Sequence, residues 1–238
     1  MRDASRPGAV GWSVKRIHVV RGIVRCAILL YIHTDTVRAV AARCLFFRLF
    51  TMESLMTRCA WCNDDPLYIT YHDTEWGTPS RDPGHLFEML ILEGFQAGLS
   101  WITVLKKREH FRRVLFGFDP VKLAALTDSQ IESLMQDPGI IRNRLKLLSV
   151  RQNAQAWLRL EDPVSFLWSF VGDKPIINHH AHIKSVPVST PEAEAMSKAL
   201  KKSGFNFVGP TICYAYMQAI GMVMDHTTDC DRYAPLAA

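Results

Sequence analysis

From residue 56 onward, apolar positions recur at intervals of three and four and strand-like alternation is scarce, so this part of the chain reads as helical throughout. The pattern predicts helices over 84–97, 101–116, 129–136, 141–159 and 211–223. A further helix is delimited at both ends. Thr190 can cap it, Pro191 takes its first position, and Glu192 and Glu194 fall in its first turn. Lys198, Lys201 and Lys202 crowd its last turns and Gly204 closes it. Pro120, Pro138, Pro163, Pro175 and Pro187 punctuate the remainder, and no repeat of solenoid length or low-complexity tract interrupts it.

One position breaks the apolar pattern where a break is costly. Glu93 lies within the greasy run from Leu86 to Trp101, and an ionised carboxylate in an apolar helix needs a structural mate or a ligand. Trp101 follows eight residues later, past a glycine-containing turn. Helix, carboxylate, turn and indole would together make a pocket with a flat face and a strong hydrogen-bond acceptor, suited to a protonated or alkylated purine. A buried Glu tied to a backbone amide or an Arg, beside a core Trp, accounts for the same residues.

Composition changes the picture mainly at the amino terminus. The chain of 238 residues carries a formal +5, but residues 1–50 hold nine Lys/Arg against Asp3 and Asp35; the remainder, with 19 basic and 21 acidic residues, sits at −2. There is thus no global electrostatic case for nucleic acid in the body, and any phosphate binding there must be local. Residues 1–55 read as an appendage, disordered or the product of an extended start with Met52 or Met56 as the working one, ahead of a helical domain over 56–238. The most apolar stretch of the appendage, Cys26 to Ile32, is too short to span a bilayer and has no signal-peptide cleavage site beside it; an organelle transit segment is the other reading.

Six cysteines without a secretory signal point to thiols or ligands rather than a disulfide framework. Cys59, Cys62 and His72 lie near the start of the body, and Asp225-His226-Thr227-Thr228-Asp229-Cys230 near its end. The interval of four between His226 and Cys230 puts both on one face of a helical turn, a spacing that suits two ligands of a tetrahedral zinc; unrelated buried thiols are the alternative. His179, His180 and His182 read as a solvated loop. Gly204 to Tyr214 reads as a tight glycine-bounded hairpin between helices, able to aim backbone N–H groups at a phosphate or simply to connect. The basic run Lys106, Lys107, Arg108, Arg112, Arg113 reads as a solvated face or as a track for DNA backbone.

Together these segments closely resemble the bacterial 3-methyladenine DNA glycosylase I family of the helix-hairpin-helix superfamily. The likeness runs through Arg58-Cys59-Ala60-Trp61, Asp65 to Gly77, Leu86 to Met89, Leu92-Glu93-Gly94, Gln96 to Arg108, Asp137 to Arg144 and Phe207 to Ala219, and covers about residues 57–231. It implies an all-α, two-lobed helix-hairpin-helix fold whose two ends are joined by one structural zinc, on Cys59, His72, His226 and Cys230. Cys62 departs from the family pattern, and an exchange with Cys59 is the alternative. Four protein ligands close such a site to an activated water. The His-x-Glu and Pro-Cys-x-x-Cys signature of zinc deaminases is also missing.

The resemblance further implies a lesion pocket of Glu93, Tyr71 and Trp101, walled by Tyr68, Trp61 and Trp76. It gives Leu99, after Gly98, as the wedge that fills the vacated base stack, and Gly209 and Thr211 as the grip on the DNA backbone. Asp225 abuts a presumed zinc ligand and reads as a supporting or local hydrogen-bonding residue. The implied protein is a monomeric, cytoplasmic, monofunctional hydrolase acting on double-stranded DNA that contains alkylated adenine, with no membrane attachment. The competing readings are a non-catalytic, zinc-clasped reader of modified bases and a hydrolase of RNA or free nucleosides.

Overall fold

The computed structural model describes residues 56–238. The readings made for residues 1–55 lie outside the described residues. Eleven α-helices are found among the described residues: α1 (Pro66–Thr74), α2 (Pro83–Gln96), α3 (Trp101–Leu105), α4 (Arg108–Val114), α5 (Pro120–Ala124), α6 (Asp128–Leu134), α7 (Arg144–Trp157), α8 (Pro163–Trp168), α9 (Pro191–Lys202), α10 (Pro210–Ala219) and α11 (Tyr233–Ala237). The all-α expectation needs one small correction. Ile176–Ile177 (β1) pairs in parallel with Val223–Met224 (β2), tying the loop after α8 to the segment after α10.

Asp-Pro dipeptides start four of these helices. Asp65, Asp82, Asp119 and Asp162 each accept a backbone N–H of the first turn through the side chain, and the proline that follows has no N–H to leave unpaired. Thr190 caps α9 as expected, accepting from Ala193 N. Two expected boundaries move inward and one expected helix divides. The helix expected over 141–159 begins only at Arg144, after Asn143 caps it, and the one expected to reach 223 stops at Ala219. The helix expected over 101–116 is two: a tight turn at Lys106 and Lys107 ends α3, and α4 restarts on a new axis with Arg108 buried.

Helix α2 is the centre of the fold. Its ten consecutive residues Leu86 to Phe95 are all buried, so it is enclosed on every side, by α3, α7, α8 and α10. Tyr216 of α10 donates its hydroxyl proton to Leu86 O at 3.1 Å, and Trp168 of α8 donates its indole N–H to Ser80 O at 3.0 Å. α9 packs on α10, and α5 and α6 pack on α7. No helix among the described residues is long and apolar enough to cross a membrane.

At Gly221 an added side chain would run into backbone. This residue has φ +71°, and a Cβ built there would stand 2.3 Å from Pro79 N and 2.4 Å from Thr78 C. Neither neighbour is a side chain that can swing away. Gly221→Ala is therefore expected to cost about 3 kcal/mol, from left-handed strain plus overpacking, read as a lower urea midpoint at unchanged slope.

Candidate active site

The carboxyl-terminal half of α2 carries Glu93 into a cavity of about 320 Å³. One wall is aromatic: Tyr68 and Tyr71 from α1, Trp61 and Trp76 from the segments flanking it, and Trp101 at the start of α3. Tyr71 and Trp101 stand 5.3 Å apart by ring centroid, and Trp61 touches Tyr68 at 5.0 Å and Trp76 at 4.9 Å. All six residues expected in the pocket are thus brought together.

Glu93 is 2% exposed and its Oε2 has no hydrogen-bond partner, which removes the reading of a carboxylate tied to an amide or an Arg. The indole N–H groups of Trp61 and Trp101 are likewise buried and unpaired. Buried polar groups are ordinarily satisfied, so three orphans lining one cavity point to a ligand that completes them. Burial pushes the Glu93 carboxyl up to about 8. It also raises the Tyr71 phenol far above its usual value, helped by the Glu93 charge, so Tyr71 remains a neutral hydroxyl.

The opposite wall was not anticipated. Thr211, Tyr214, Ala215 and Gln218 present one face of α10 to the cavity, and Ile183, Val186, Pro187 and Val188 bring in the loop before α9. Thr211, expected to grip backbone, lies on this wall, while Gly209 is the N-cap of α10 as the hairpin reading required. Asp225 anchors the wall from behind. Wholly buried, it accepts from Tyr214 Oη at 2.6 Å, Gln218 Nε2 at 2.8 Å and Asn178 Nδ2 at 2.7 Å, and bonds none of the four metal-type side chains. His180 is drawn in beside it at 3.4 Å, whereas His179 and His182 stay exposed.

Behind the aromatic wall, Cys59, His72, His226 and Cys230 bring their ligand atoms within 4.8 Å of one another, all buried. The tautomers are set from outside: Nδ1 of His72 bonds Asp73 Oδ1 at 2.7 Å, and Nε2 of His226 donates to Trp76 O at 3.1 Å. This leaves His226 Nδ1 unprotonated 3.4 Å from both sulfurs, and His72 Nε2 unprotonated 3.6 Å from Cys230 Sγ, where it accepts the Cys59 backbone N–H at 3.2 Å; both are ring nitrogens of the kind a metal takes. The hydrogen bond shared by the two thiols pushes Cys230 down and, together with burial, pushes Cys59 up. Cys62 lies apart, its Sγ directed to Asn63 O. The interval from His226 to Cys230 is not helical as expected; a turn closed by Cys230 N on Thr227 O brings the two together.

The turn after α2 exposes Leu99, at 41% the kind of apolar side chain a wedge needs, and Gly98 reaches φ +78° to make the turn. The basic run divides: Lys106 and Arg113 stay exposed as a solvated face would have them, and Arg108 is drawn into the interior. Arg108 is buried between Glu75 and Glu88, Lys107 bonds Pro138 O and Gly139 O, Lys106 pairs with Asp65, and Arg112 and Arg113 engage Glu88 and His110.

A deep aromatic cavity with a partnerless carboxyl, backed by a Cys2His2 group, is the frame against which known proteins compare. Residues 61–233 match the methyladenine glycosylase family. The chain belongs to that family. It is 53% identical over 182 residues to the DNA-3-methyladenine glycosylase 1 of Escherichia coli K12, an overlap covering 75% of this chain and 97% of the relative. The DNA-3-methyladenine glycosylase of Haemophilus influenzae is 51% identical over 180 residues, covering 74% and 97%. Among solved structures, the 3-methyladenine DNA glycosylase I of Staphylococcus aureus, described for its recognition of 3-methyladenine, superimposes with a TM-score of 0.73 at 37% identity, covering 75% of this chain and 97% of that one. The matched residues include Glu93, the aromatic residues of the cavity, His72, His226 and Cys230, while Cys59 lies two positions before them.

Proposed function

We propose that this chain is a monofunctional DNA glycosylase that extrudes 3-methyladenine from alkylated double-stranded DNA and hydrolyses its glycosidic bond, leaving an abasic site. The observation that carries this reading is the unpaired Glu93 carboxyl inside an aromatic cavity sized for one base. Methylation at N3 places a positive charge on the adenine ring and weakens its bond to C1′. Water adds at C1′ and loses a proton as the C1′–N9 electron pair leaves with the base, which departs neutral. The leaving group is already activated, so recognition carries most of the selectivity. Trp101 and Tyr71 favour the electron-poor ring, and Glu93 complements its charge and accepts from its exocyclic amine.

In this reading the chain acts as a monomer with a two-lobed helix-hairpin-helix organisation. Leu99 fills the stack and the 204–209 hairpin with the start of α10 grips the backbone. Cys59, His72, His226 and Cys230 hold one zinc. Bound there, the metal supplies a closed structural clasp between the two ends of the domain and no water for the reaction.

Incubation with methylated duplex DNA tests the proposal. The expected product is free 3-methyladenine and an alkali-labile abasic site, with no strand cut before alkali. Retention of the lesion at stoichiometric protein would instead identify a reader of modified bases.

A further inference from the structure

One buried cation serves neither the cavity nor the metal group. Lys146, in the first turn of α7, is 6% exposed, and among the described residues its ammonium bonds backbone carbonyls and no carboxylate. Its ammonium instead donates to Phe95 O at 2.8 Å and Ala97 O at 2.6 Å. These carbonyls close α2 just as the chain leaves it for Gly98 and Leu99, and a helix carboxyl terminus is where orphan carbonyls and the helix dipole favour a cation. The same ammonium lies 6.0 Å from the ring of Phe207, a bulky residue held at φ +55° in the hairpin.

Farther along α7, Gln152 and Asn153 hold that hairpin directly. Asn153 Nδ2 donates to Asn206 O at 3.0 Å while its Oδ1 accepts Asn206 N at 2.8 Å, and Gln152 donates to Gly204 O at 2.9 Å. Six to seven residues of helix separate these contacts from Lys146, or about 10 Å at 1.5 Å per residue. Helix α7 therefore bonds the Leu99 turn through Lys146 and the 204–209 hairpin through Gln152 and Asn153, with Phe207 of the hairpin lying beside the Lys146 end. A duplex engaged by both must meet them at one fixed spacing.

We propose that Lys146 is a positioning residue for base extrusion, bonding the Leu99 turn to α7 so that wedge and backbone grip act on the duplex in one register. The inference rests on the glycosylase reading above. Its test compares wild type, Lys146→Met, Lys146→Gln and Lys146→Arg in three measurements. These are single-turnover release from methylated duplex DNA, release from the same DNA after heat denaturation, and quenching of tryptophan fluorescence by free 3-methyladenine.

Loss of both carbonyl bonds in Lys146→Met is expected to slow release from duplex about tenfold or more. The loss on denatured DNA should be markedly smaller, because no stack has to be opened, and affinity for the free base should stay within about twofold. Lys146→Gln, which keeps one donor, should fall between, and Lys146→Arg should recover most of the duplex rate. Equal losses on duplex, denatured DNA and free base, unchanged duplex rates, or unfolding of both neutral variants would overturn the positioning role. A wild type that releases no base overturns the glycosylase reading itself, a result separate from all of these.

Discussion

Glu93→Gln is expected to slow 3-methyladenine release from methylated duplex DNA by about 10²-fold, the scale of one aligned electrostatic contact in a water-poor site. The substitution is nearly isosteric and keeps an oxygen that can accept from the exocyclic amine, so what it removes is charge. In the empty cavity near neutral pH the Glu93 carboxyl is largely protonated, since burial raises it to about 8. An incoming purine cation favours the carboxylate, so binding of the lesion should release a proton in wild type and none in the variant.

Stability should move in the opposite direction. The unfolded chain releases the Glu93 proton near 4.5 and the folded chain only near 8, so between those values the folded state binds the extra proton. Wild-type stability associated with this group is complete below about 4.5 and declines as pH climbs to about 8, a decline the glutamine variant lacks. Urea midpoints at pH 5 and pH 8 should show Glu93→Gln gaining on wild type at the higher pH while it loses activity at both. A variant that excises at the wild-type rate would remove the charge from the account of recognition.

Glu93 also shows what a sequence makes legible. A carboxylate inside ten buried positions violates the burial pattern of its own helix, and that violation can be read without a fold. The aromatic wall was reached by resemblance, since nothing in the spacing of Trp61, Tyr68, Tyr71, Trp76 and Trp101 forces them round one cavity. Tyr214, Ala215 and Gln218 were missed, and Thr211 was given to the backbone grip alone, although the four fall at i, i+3, i+4 and i+7, one stripe of α10. A stripe of that kind ordinarily faces core, and only the packing of α10 on α2 turns it toward Glu93.

Elsewhere the signal was local and overlooked. Asp65-Pro66, Asp119-Pro120 and Asp162-Pro163 open helices that the apolar period alone is too short to reveal, in α5 and α8 only five and six residues long. The break between α3 and α4 has no such marker. No Gly or Pro stands at Lys106 or Lys107, and the bend accompanies Lys107 on the Pro138 and Gly139 carbonyls and Arg108 between Glu75 and Glu88, contacts 20 or more residues away in the chain. The same contacts take Lys107 and Arg108 out of the run of basic residues, leaving Lys106 and Arg113 exposed.

The Cys2His2 group leads to the second large effect. Cys59 and His72 come from one end of the domain and His226 and Cys230 from the other, so a metal held by them cross-links residues 59 and 230. Cys230→Ala is expected to abolish binding of the single zinc, read by elemental analysis, and to lower stability by about 4 kcal/mol, the scale of closing a loop of that length. The catalytic consequence follows from adjacency. Tyr71 and His72 are consecutive on α1, Trp76 takes its carbonyl to His226 and its ring to 4.6 Å from the same imidazole, and Trp61 lies tilted against His72 at 5.2 Å between ring centroids. Releasing the clasp loosens the wall that selects the base while leaving Glu93 on α2. The variant, assayed below its own unfolding temperature, should therefore show a raised KM for methylated DNA with a smaller change in kcat. A kcat that collapses with KM unchanged would mean that the metal group takes part in breaking the bond, contrary to a site closed by four protein ligands.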